Sequence, residues 1–340
     1  MTRKNYCLFI CLLFCLSAVV FSVQFCVGAE PVRLIFDTDL GNDVDDTMAL
    51  AVIHALQNRN ECELLAVTTT KDNPYVAPMI AVLNNFYGRP NIPIAVVKDG
   101  QTKEDGTYNR KVLELKDDAG KPRYSYHLPN ADQLPEAVSY LRKRLAAEPD
   151  QSVVLVQVGF FTNLARLLET TADDISPLSG KELIAKKVKL LSLMAAAING
   201  KKEYNVIKDI PSAKKMIENW PTEMIFSGWE IGDQIQYPPK SLQDDFNYVK
   251  YHPVKDAYHF YRGLDKSQPT YDLTSVLYAV RPERGYFDLS PKGTVKVLDD
   301  GKTTFEPSEN GKHRFLIVNS VQIAIVREAL VQLTSEPPKK

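Results

Sequence analysis

Strand-like and helix-like segments alternate along most of this chain, and this alternation constrains its fold more than any other sequence feature. The apolar run 32–36 has the composition of a buried strand, and apolar residues then recur at helical spacing between Met48 and Leu56. Strands that alternate with helices require crossover connections, so we predict an α/β protein with a mostly parallel central sheet and helices on both faces. The pattern continues with predicted strands at 64–69, 92–97, 153–158, 188–194 and 223–226 and predicted helices at 46–58, 76–87, 132–148, 163–168, 212–219, 272–280 and 321–333.

Two segments interrupt this alternation. Residues 98–131 are polar and lack a sustained period, which predicts a long loop near the ligand side of the domain. Between 285 and 318, Gly293 and the run 299–301 supply turn signals between short β-like segments, which predicts a small antiparallel appendage near the C-terminus. Because no linker separates the predicted elements, residues 30–340 are interpreted as a single domain.

The first 29 residues have the pattern of a secretory signal peptide. Arg3 and Lys4 precede an apolar stretch over 6–25, and Gly28 and Ala29 supply small residues for cleavage. We therefore expect a secreted or periplasmic protein, with no stable membrane association once the signal is removed. The apolar stretch is also long enough for an uncleaved membrane anchor, and this alternative stays open.

Charge and cysteine content narrow the partners and the sources of stability. Lys and Arg total 41 against 42 for Asp and Glu, so the net charge of -1 provides no field that would attract nucleic acid or an anionic membrane. We expect a small-molecule partner and no nucleic acid, and the sequence leaves homo-oligomerisation open. Four of the five cysteines precede residue 30, so Cys62 alone remains in the predicted mature chain and cannot form a disulfide within it.

An acidic run follows the first predicted strand, with five aspartates within the ten residues 37–46. So many carboxylates repel one another strongly in a compact loop unless a cation neutralises them. Calcium accepts many oxygen ligands in adaptable geometry, whereas magnesium requires a tighter octahedron and keeps its waters. Ligands of open α/β sheets also gather outside the carboxyl ends of strands. The sequence therefore predicts a calcium site at this loop.

Three other interpretations of the acidic run can be compared with its residues. An EF-hand does not match, because Gly41 is the fifth residue counted from Asp37 and Met48 stands at the twelfth, where glutamate is required. A haloacid dehalogenase-like phosphatase would use Asp37 as nucleophile and Asp39 as acid/base, although Leu40 replaces the small residue expected there. The aspartates could also cap a solvated surface helix.

The run also resembles the signature of the inosine-uridine-preferring nucleoside hydrolase family. That family has Asp-x-Asp-x-Gly followed by an aspartate pair, which here is Asp45 and Asp46, reached after the two extra residues Asn42 and Asp43. The lengthened form resembles exported members of the superfamily. The resemblance implies a nucleoside hydrolase-like, Rossmann-like fold in which Asp39 is a calcium ligand and general base, while Asp45 and Asp46 coordinate calcium.

Two later segments resemble the family in the expected order. The segment 67–73 resembles its second strand and ends on Asn73, which by this resemblance would bind ribose. The segment 154–163 resembles the stretch whose main-chain carbonyl binds calcium just before a glycine, which implies the carbonyl of Val158.

Sugar-binding residues are implied between 194 and 205. Met194 ends a predicted strand, and Glu203, Tyr204 and Asn205 resemble the Glu-Phe-Asn motif that holds the 5′ and 3′ hydroxyls of the sugar. A carboxylate and an amide beside an aromatic ring suit a furanose, because they bind its hydroxyls while the ring covers its C–H groups.

The last expected calcium ligand is Asp272, which opens a predicted helix and would look the same as a helix N-cap. Tyr271 precedes it where the family usually has a histidine that assists the leaving base. A tyrosine can donate a hydrogen bond, but its proton is much less available at neutral pH. Tyr271 therefore favours one alternative, a secreted riboside-binding protein without catalysis.

The resemblance as a whole implies calcium-dependent hydrolysis of the N-glycosidic bond of ribonucleosides or related ribosides, which releases ribose and free base. Water bound to calcium would attack C1′ after giving its proton to Asp39. The haloacid dehalogenase-like phosphatase remains a second alternative. The sequence does not fix the preferred base or the sugar.

Overall fold

A computed structural model of the chain describes residues 30–130 and 133–339. Pro31–Lys340 form one compact unit. The predicted signal peptide, residues 1–29, lies outside the described residues. Within the described residues, no helix has the length and apolar character needed to span a membrane.

Twelve strands occur in the described residues, and ten of them form one sheet. The strands are β1 Val32–Thr38, β2 Cys62–Thr69, β3 Ile94–Ala95, β4 Val153–Gln157, β5 Val188–Met194, β6 Met224–Ser227, β7 Gln236–Tyr237, β8 Gln268–Pro269, β9 Asp288–Leu289, β10 Gly293–Val297, β11 Thr303–Pro307 and β12 His313–Ile317. The order across the large sheet is β11-β10-β12-β6-β5-β4-β1-β2-β3, with β9 paired to β12. From β12 to β3 every neighbouring pair on this path is parallel.

Helices cover both faces of this sheet. The helices are α1 Asp45–Asn58, α2 Val76–Phe86, α3 Asn109–Glu114, α4 Ala137–Ala147, α5 Thr162–Glu169, α6 Gly180–Lys187, α7 Tyr204–Lys208, α8 Ile210–Asn219, α9 Trp229–Gln234, α10 Pro239–Asp244, α11 Pro253–Arg262, α12 Tyr271–Val280 and α13 Ser320–Thr334. Successive strand residues point to opposite faces. Accordingly, Leu34 and Phe36 of β1 join the core formed with α1, α12 and α13, while Ile35 joins the core formed with α4, α5 and α8. The predicted fold class is confirmed.

The C-terminal strands pair antiparallel with one another, as predicted, but they extend the main sheet. β12 pairs in parallel with β6, and β10 pairs antiparallel with both β12 and β11. The buried residues Val295, Val297 and Phe315 pack into the same core as Phe226 of β6. The appendage is therefore a continuation of the sheet at the edge opposite β3.

Several element predictions need correction. The strand predicted at 92–97 is reduced to Ile94–Ala95, and the helix predicted at 132–148 begins only at Ala137. The predicted loop 98–131 contains the short helix α3. The region from α9 to β8 was not predicted, because its elements are mostly too short to show a period. It nevertheless supplies an aromatic wall of the cavity described below.

Candidate active site and metal centre

The acidic loop joins the carboxyl end of β1 to the start of α1. The buried hydroxyl of Thr38 donates to a carboxylate oxygen of Asp46 and accepts the backbone N–H of Leu40 at 3.2 Å. Gly41 has φ +119°, a backbone conformation that residues with a side chain rarely adopt. Asp45 and Asp46 then form the first turn of α1, where the helix dipole favours negative charge.

Four carboxylates converge at the end of this loop. Oxygen atoms of Asp43, Asp45, Asp46 and Asp272 all lie within 4.8 Å of one another. Asp272 comes from the first turn of α12, and its backbone N–H donates to Asp45 Oδ2 at 3.1 Å. Asp45 and Asp272 are 227 positions apart in the chain, so the fold brings together residues that are distant in sequence.

The carboxylates of this cluster are strongly perturbed. Burial, followed by repulsion from neighbouring aspartates, raises the pKa values of Asp45, Asp46 and Asp272 well above the ordinary aspartate value. Burial and the charge of Asp43 raise the pKa of Asp39 to about 7. Without a cation, the site holds its negative charge only at a considerable energetic cost.

Two carboxylate oxygen atoms of this cluster bear on whether a cation would fit there. Asp45 Oδ1 and Asp46 Oδ2 are buried and have no hydrogen-bond partner among the described residues. Buried polar atoms are nearly always satisfied, so such atoms usually mark a missing water or ion. An all-oxygen donor set with several negative charges fits a hard divalent cation such as calcium. The residues present therefore fit the predicted metal.

The predicted ligands are placed close together, with one difference. Asp45, Asp46 and Asp272 belong to the four-carboxylate group, but its fourth member is Asp43 instead of Asp39. Asp39 lies in the same cavity, where its Oδ2 accepts a hydrogen bond from Asn42 Nδ2 at 2.5 Å. The place of Asp43 in this group was not predicted, because the family resemblance makes it one of the two extra residues of the motif.

Val158 lines the same cavity directly after the carboxyl end of β4, and its carbonyl oxygen is a hydrogen-bond acceptor. It accepts a hydrogen bond from Asn205 Nδ2 at 2.9 Å. A carbonyl oxygen has two lone pairs, so this bond leaves one for a cation. Gly159 follows, and a Cβ there would lie 2.5 Å from the backbone nitrogen of Asp39. Only glycine allows β1 and β4 to end so close together.

Asp43 and Asp272 of this cluster, together with Asp39, line a cavity of 440 Å³ at the carboxyl end of the sheet. Four aromatic residues contribute to its remaining wall, one each from α7, α9, α11 and the start of α12. Its lining residues are Asp39, Asn42, Asp43, Glu104, Asp105, Gly106, Thr107, Val158, Met194, Lys202, Glu203, Tyr204, Asn205, Trp229, Tyr261, Tyr271 and Asp272.

The predicted sugar-binding residues Met194, Glu203, Tyr204 and Asn205 all line this cavity. Glu203 caps α7, because its carboxylate accepts the backbone N–H groups of Asn205 and Val206 at 2.8 and 3.0 Å. Burial raises its pKa to about 7. Asn205 Nδ2 contacts the carbonyls of both Val158 and Met194, so its amide ties the ends of β4 and β5 together.

Asn73 is not brought to this cavity. Its side chain instead donates to the Lys103 carbonyl at 3.1 Å and to Asp105 Oδ1 at 3.0 Å. It therefore supports the loop that contributes Glu104 to Thr107 to the cavity, and direct contact with ribose stays a prediction.

Residues 102–109 form a strap across the acidic loop. A Cβ on Gly106 would lie 1.8 Å from the Gly41 carbonyl oxygen, so the two backbones are in direct contact. The Tyr108 hydroxyl donates to the Asp43 carbonyl at 2.8 Å, and Asn109 Nδ2 donates to the Leu40 carbonyl at 3.0 Å. The strap belongs to the polar segment that was predicted to lie near the ligand, and it holds the acidic loop in place.

Tyr271 lines the cavity together with Trp229 and Tyr261, which sequence reasoning missed. The Trp229 and Tyr271 rings lie 6.3 Å apart between centroids. Burial raises the pKa of Tyr271 well above its ordinary value. All five histidines lie in the described residues, and none of them lines the cavity.

Three solved structures illustrate the fold class to which this chain belongs. A plant nucleoside hydrolase is 21% identical with a TM-score of 0.66, covering 90% of this chain and 100% of that one. The inosine-uridine preferring nucleoside hydrolase from Bacillus anthracis is 16% identical with a TM-score of 0.65, covering 88% and 99%. The purine-preferring ribonucleoside hydrolase from Gardnerella vaginalis is 16% identical with a TM-score of 0.65, covering 89% and 98%. The chain thus has the nucleoside hydrolase fold.

The sequence profile described as inosine-uridine preferring nucleoside hydrolase matches residues 34–328. The match covers most of the chain, so the protein belongs to this family of hydrolases, which act on N-glycosyl compounds. No curated protein matches the chain significantly by sequence.

Proposed function

We propose that the protein hydrolyses the N-glycosidic bond of ribonucleosides or related ribosides in a calcium-dependent reaction. The observation that carries this proposal is the cavity itself. The cavity lies beside a largely buried group of four aspartates that could hold a cation. Its wall also carries a glutamate, an amide and several aromatic rings that suit a sugar and its base.

Asp45, Asp46, Asp272 and the Val158 carbonyl would hold the cation, and Asp43 is within reach of the same position. Calcium bound there would lower the pKa of a water molecule and bind the hydroxyls of the sugar. Family membership supports a metal-dependent reaction, and the oxygen-only donor set favours calcium.

Asp39 is the group best placed to accept a proton from the attacking water. It lies at the cavity beside the four-carboxylate group, and Asn42 fixes the orientation of its carboxylate. Burial and the nearby charge of Asp43 make it more basic than an ordinary aspartate. This basicity would decrease when a cation neutralises its neighbours.

The negative floor of the cavity favours the transition state over the bound substrate. As the bond from C1′ to the base stretches, positive charge grows on the sugar ring, which the carboxylates stabilise more than they stabilise the neutral riboside. Glu203 and Asn205 would orient the sugar hydroxyls. Trp229, Tyr261 and Tyr271 would cover the face of a flat base.

Non-catalytic riboside binding is a second candidate, and it rests on the absence of histidine from the lining of the cavity. A departing base needs a proton or a hydrogen bond. Tyr271 holds its proton tightly because its pKa is raised. A phosphatase is disfavoured, because Asp37, which would be the nucleophile, is fully buried and hydrogen-bonded to Thr68 at 2.5 Å and to Asn163 at 2.8 Å.

One assay separates the candidates. Purine and pyrimidine ribosides, and a sugar phosphate, are incubated with the protein and either calcium or magnesium, and free ribose and free phosphate are measured. Release of ribose supports the proposed reaction. Equilibrium binding of ribosides without product supports a binding protein, and release of phosphate with magnesium supports a phosphatase.

We also propose that the protein is exported to the periplasm or outside the cell, because residues 1–29 have the pattern of a signal peptide. N-terminal sequencing of the protein from its native host tests this proposal. A mature chain beginning near residue 30 supports export with cleavage, whereas an intact N-terminus in the membrane fraction supports an anchor.

A further inference from the structure

Lys71 is a cation buried beside a site made of carboxylates. Only 1% of its surface is exposed, and its Nζ donates to Asn42 Oδ1 and to the Thr102 carbonyl, both at 2.9 Å. Neither acceptor is a carboxylate. Burying an ammonium group in this way is costly, and the surrounding negative charges of Asp39, Asp46 and the strap offset part of that cost. A simple structural ion pair therefore does not explain the lysine.

The lysine fixes the orientation of the Asn42 amide. An ammonium group can only donate hydrogen bonds, so Asn42 must turn its oxygen toward Lys71. Its NH₂ group then faces Asp39 and donates to Oδ2 at 2.5 Å. If the amide were reversed, its oxygen would meet a carboxylate oxygen, and the two would repel each other.

We propose that Lys71 and Asn42 are positioning residues that hold the Asp39 carboxylate in the orientation needed to accept a proton. This inference rests on the function proposed above. Asn42 occupies one carboxylate oxygen, and Lys71 prevents the amide from turning over. Asn42 is one of the two extra residues that lengthen the acidic motif. The orientation of Asp39 by Asn42 and Lys71 therefore depends on this insertion.

The rival explanation is that Lys71 serves only to anchor the strap through the Thr102 carbonyl. The two explanations predict different coupling. If Lys71 acts through Asn42, removing the lysine has no further effect once the amide is gone. If Lys71 acts through the strap, the decreases in kcat caused by the two single substitutions multiply in the double variant.

The experiment is a double-mutant cycle with Asn42→Leu and Lys71→Met, measured with calcium and the best riboside substrate. Asn42→Leu is expected to lower kcat by about tenfold or more, because it removes part of the orientation of a general base. Lys71→Met is expected to lower kcat several-fold, and the double variant should match Asn42→Leu within about twofold. KM and calcium affinity, the latter measured by titration calorimetry, are expected to stay within about threefold of wild type.

Arg166→Met is the matched control. Arg166 donates to the carbonyls of Lys98 and Asp99 at the start of the same polar segment and does not line the cavity. It should leave kcat and KM near wild type. Multiplicative effects of the two variants, or a fall in calcium affinity that parallels kcat, would overturn the proposal. If Lys71→Met does not fold, Asn42→Leu still decides, because a change in KM without a change in kcat contradicts a positioning role.

A second readout does not depend on turnover. Crystal structures of calcium-loaded wild type and Lys71→Met are compared for the contact between Asn42 Nδ2 and Asp39 Oδ2. Loss of the contact in the variant supports the proposal, and its retention overturns it. If wild type cleaves no riboside, the proposed function fails, and this structural comparison still decides whether Lys71 orients Asp39.

Discussion

The floor and the rim of the cavity differ in where their residues come from. The floor is built from the ends of β1, β4 and β5 and the first turns of α1 and α12. Its aspartates are almost fully buried apart from the partly exposed Asp43. The rim comes from short helices and a strap, and Tyr204 is 42% exposed. A rigid floor suits chemistry that every member of a family shares, whereas a rim built from loops can differ between members without disturbing the sheet.

The largest effect should come from the floor. Asp39→Ala is expected to lower kcat by roughly a thousandfold or more, because it removes the proton acceptor. The measurement is ribose release with calcium at saturating substrate. Asp244→Asn on the surface helix α10 is the control and should leave kcat unchanged. Near-normal turnover of any riboside by Asp39→Ala would contradict the assigned role.

Removing the cation should destabilise the floor and leave the rim largely unchanged. A ligand present at a hundred times its Kd stabilises the folded state by about 2.7 kcal/mol, so chelation should lower the unfolding temperature by several degrees and abolish turnover. Thermal melts with calcium, magnesium or a chelator test this expectation. Identical melting curves would show that the carboxylates hold no divalent cation under these conditions.

The stability of the metal-free protein should depend on pH. In the metal-free protein, Asp37 and Asp39 have folded pKa values raised to about 7 from the ordinary value of 3.8. Folding therefore favours the protonated form of both side chains. Their contribution to the free energy of unfolding is fully present below about pH 4 and is lost as pH rises through about 7. The unfolding temperature with chelator should fall from pH 5 to pH 8. Calcium should reduce or remove this fall.

A rim substitution should change affinity more than rate. Stacking of a base on an aromatic ring is worth about 1–3 kcal/mol, so Trp229→Ala should raise KM for purine ribosides by about tenfold while kcat changes less. Tyr126→Ala, an exposed aromatic outside this cavity, is the control. A fall in kcat with an unchanged KM would place Trp229 in the chemistry instead.

The smallest effect is expected for Tyr271→Phe. It removes one hydroxyl that holds its proton tightly, and a single hydrogen bond is worth about 0.5–1.5 kcal/mol, which corresponds to a few-fold change in kcat. Comparison of substrates with good and poor leaving groups is the measurement. A loss of more than about a hundredfold confined to poor leaving groups would make Tyr271 the essential donor.

The floor could be anticipated from the sequence more fully than the rim. Asp39, Asp45 and Asp46 sit in a run whose composition demands a cation, and Val158, Glu203 and Asp272 lie in segments that resemble the family in order. The structure places Asp39, Val158, Glu203 and Asp272 on the lining of one cavity. Asp45 and Asp46 lie in the carboxylate group that includes Asp272. Local patterns carried this information because each residue ends a strand or begins a helix.

The rest could not be read from the sequence, for physical reasons. Trp229 lies in a helix of only 6 residues, which is too short to show a period. Tyr261 lies near the end of the 10-residue helix α11, where an aromatic residue looks the same in sequence whether it packs inward or lines a cavity. Asn73 was placed by analogy, yet its amide bonds to the strap. The partnership of Lys71 with Asn42 depends on a contact between residues 29 positions apart, which neither periodicity nor composition reveals.

Cys62 has a practical consequence. It is the single cysteine of the described chain, it is only 2% exposed, and burial raises the pKa of its thiol to about 12. Thiolates, not thiols, react with maleimides and iodoacetamides, so a protein that begins at residue 30, without the four cysteines that precede it, should resist alkylation. A cysteine introduced by Lys202→Cys at the cavity mouth would then take a fluorophore selectively. Ligand entry could be followed by fluorescence without first engineering a thiol-free background.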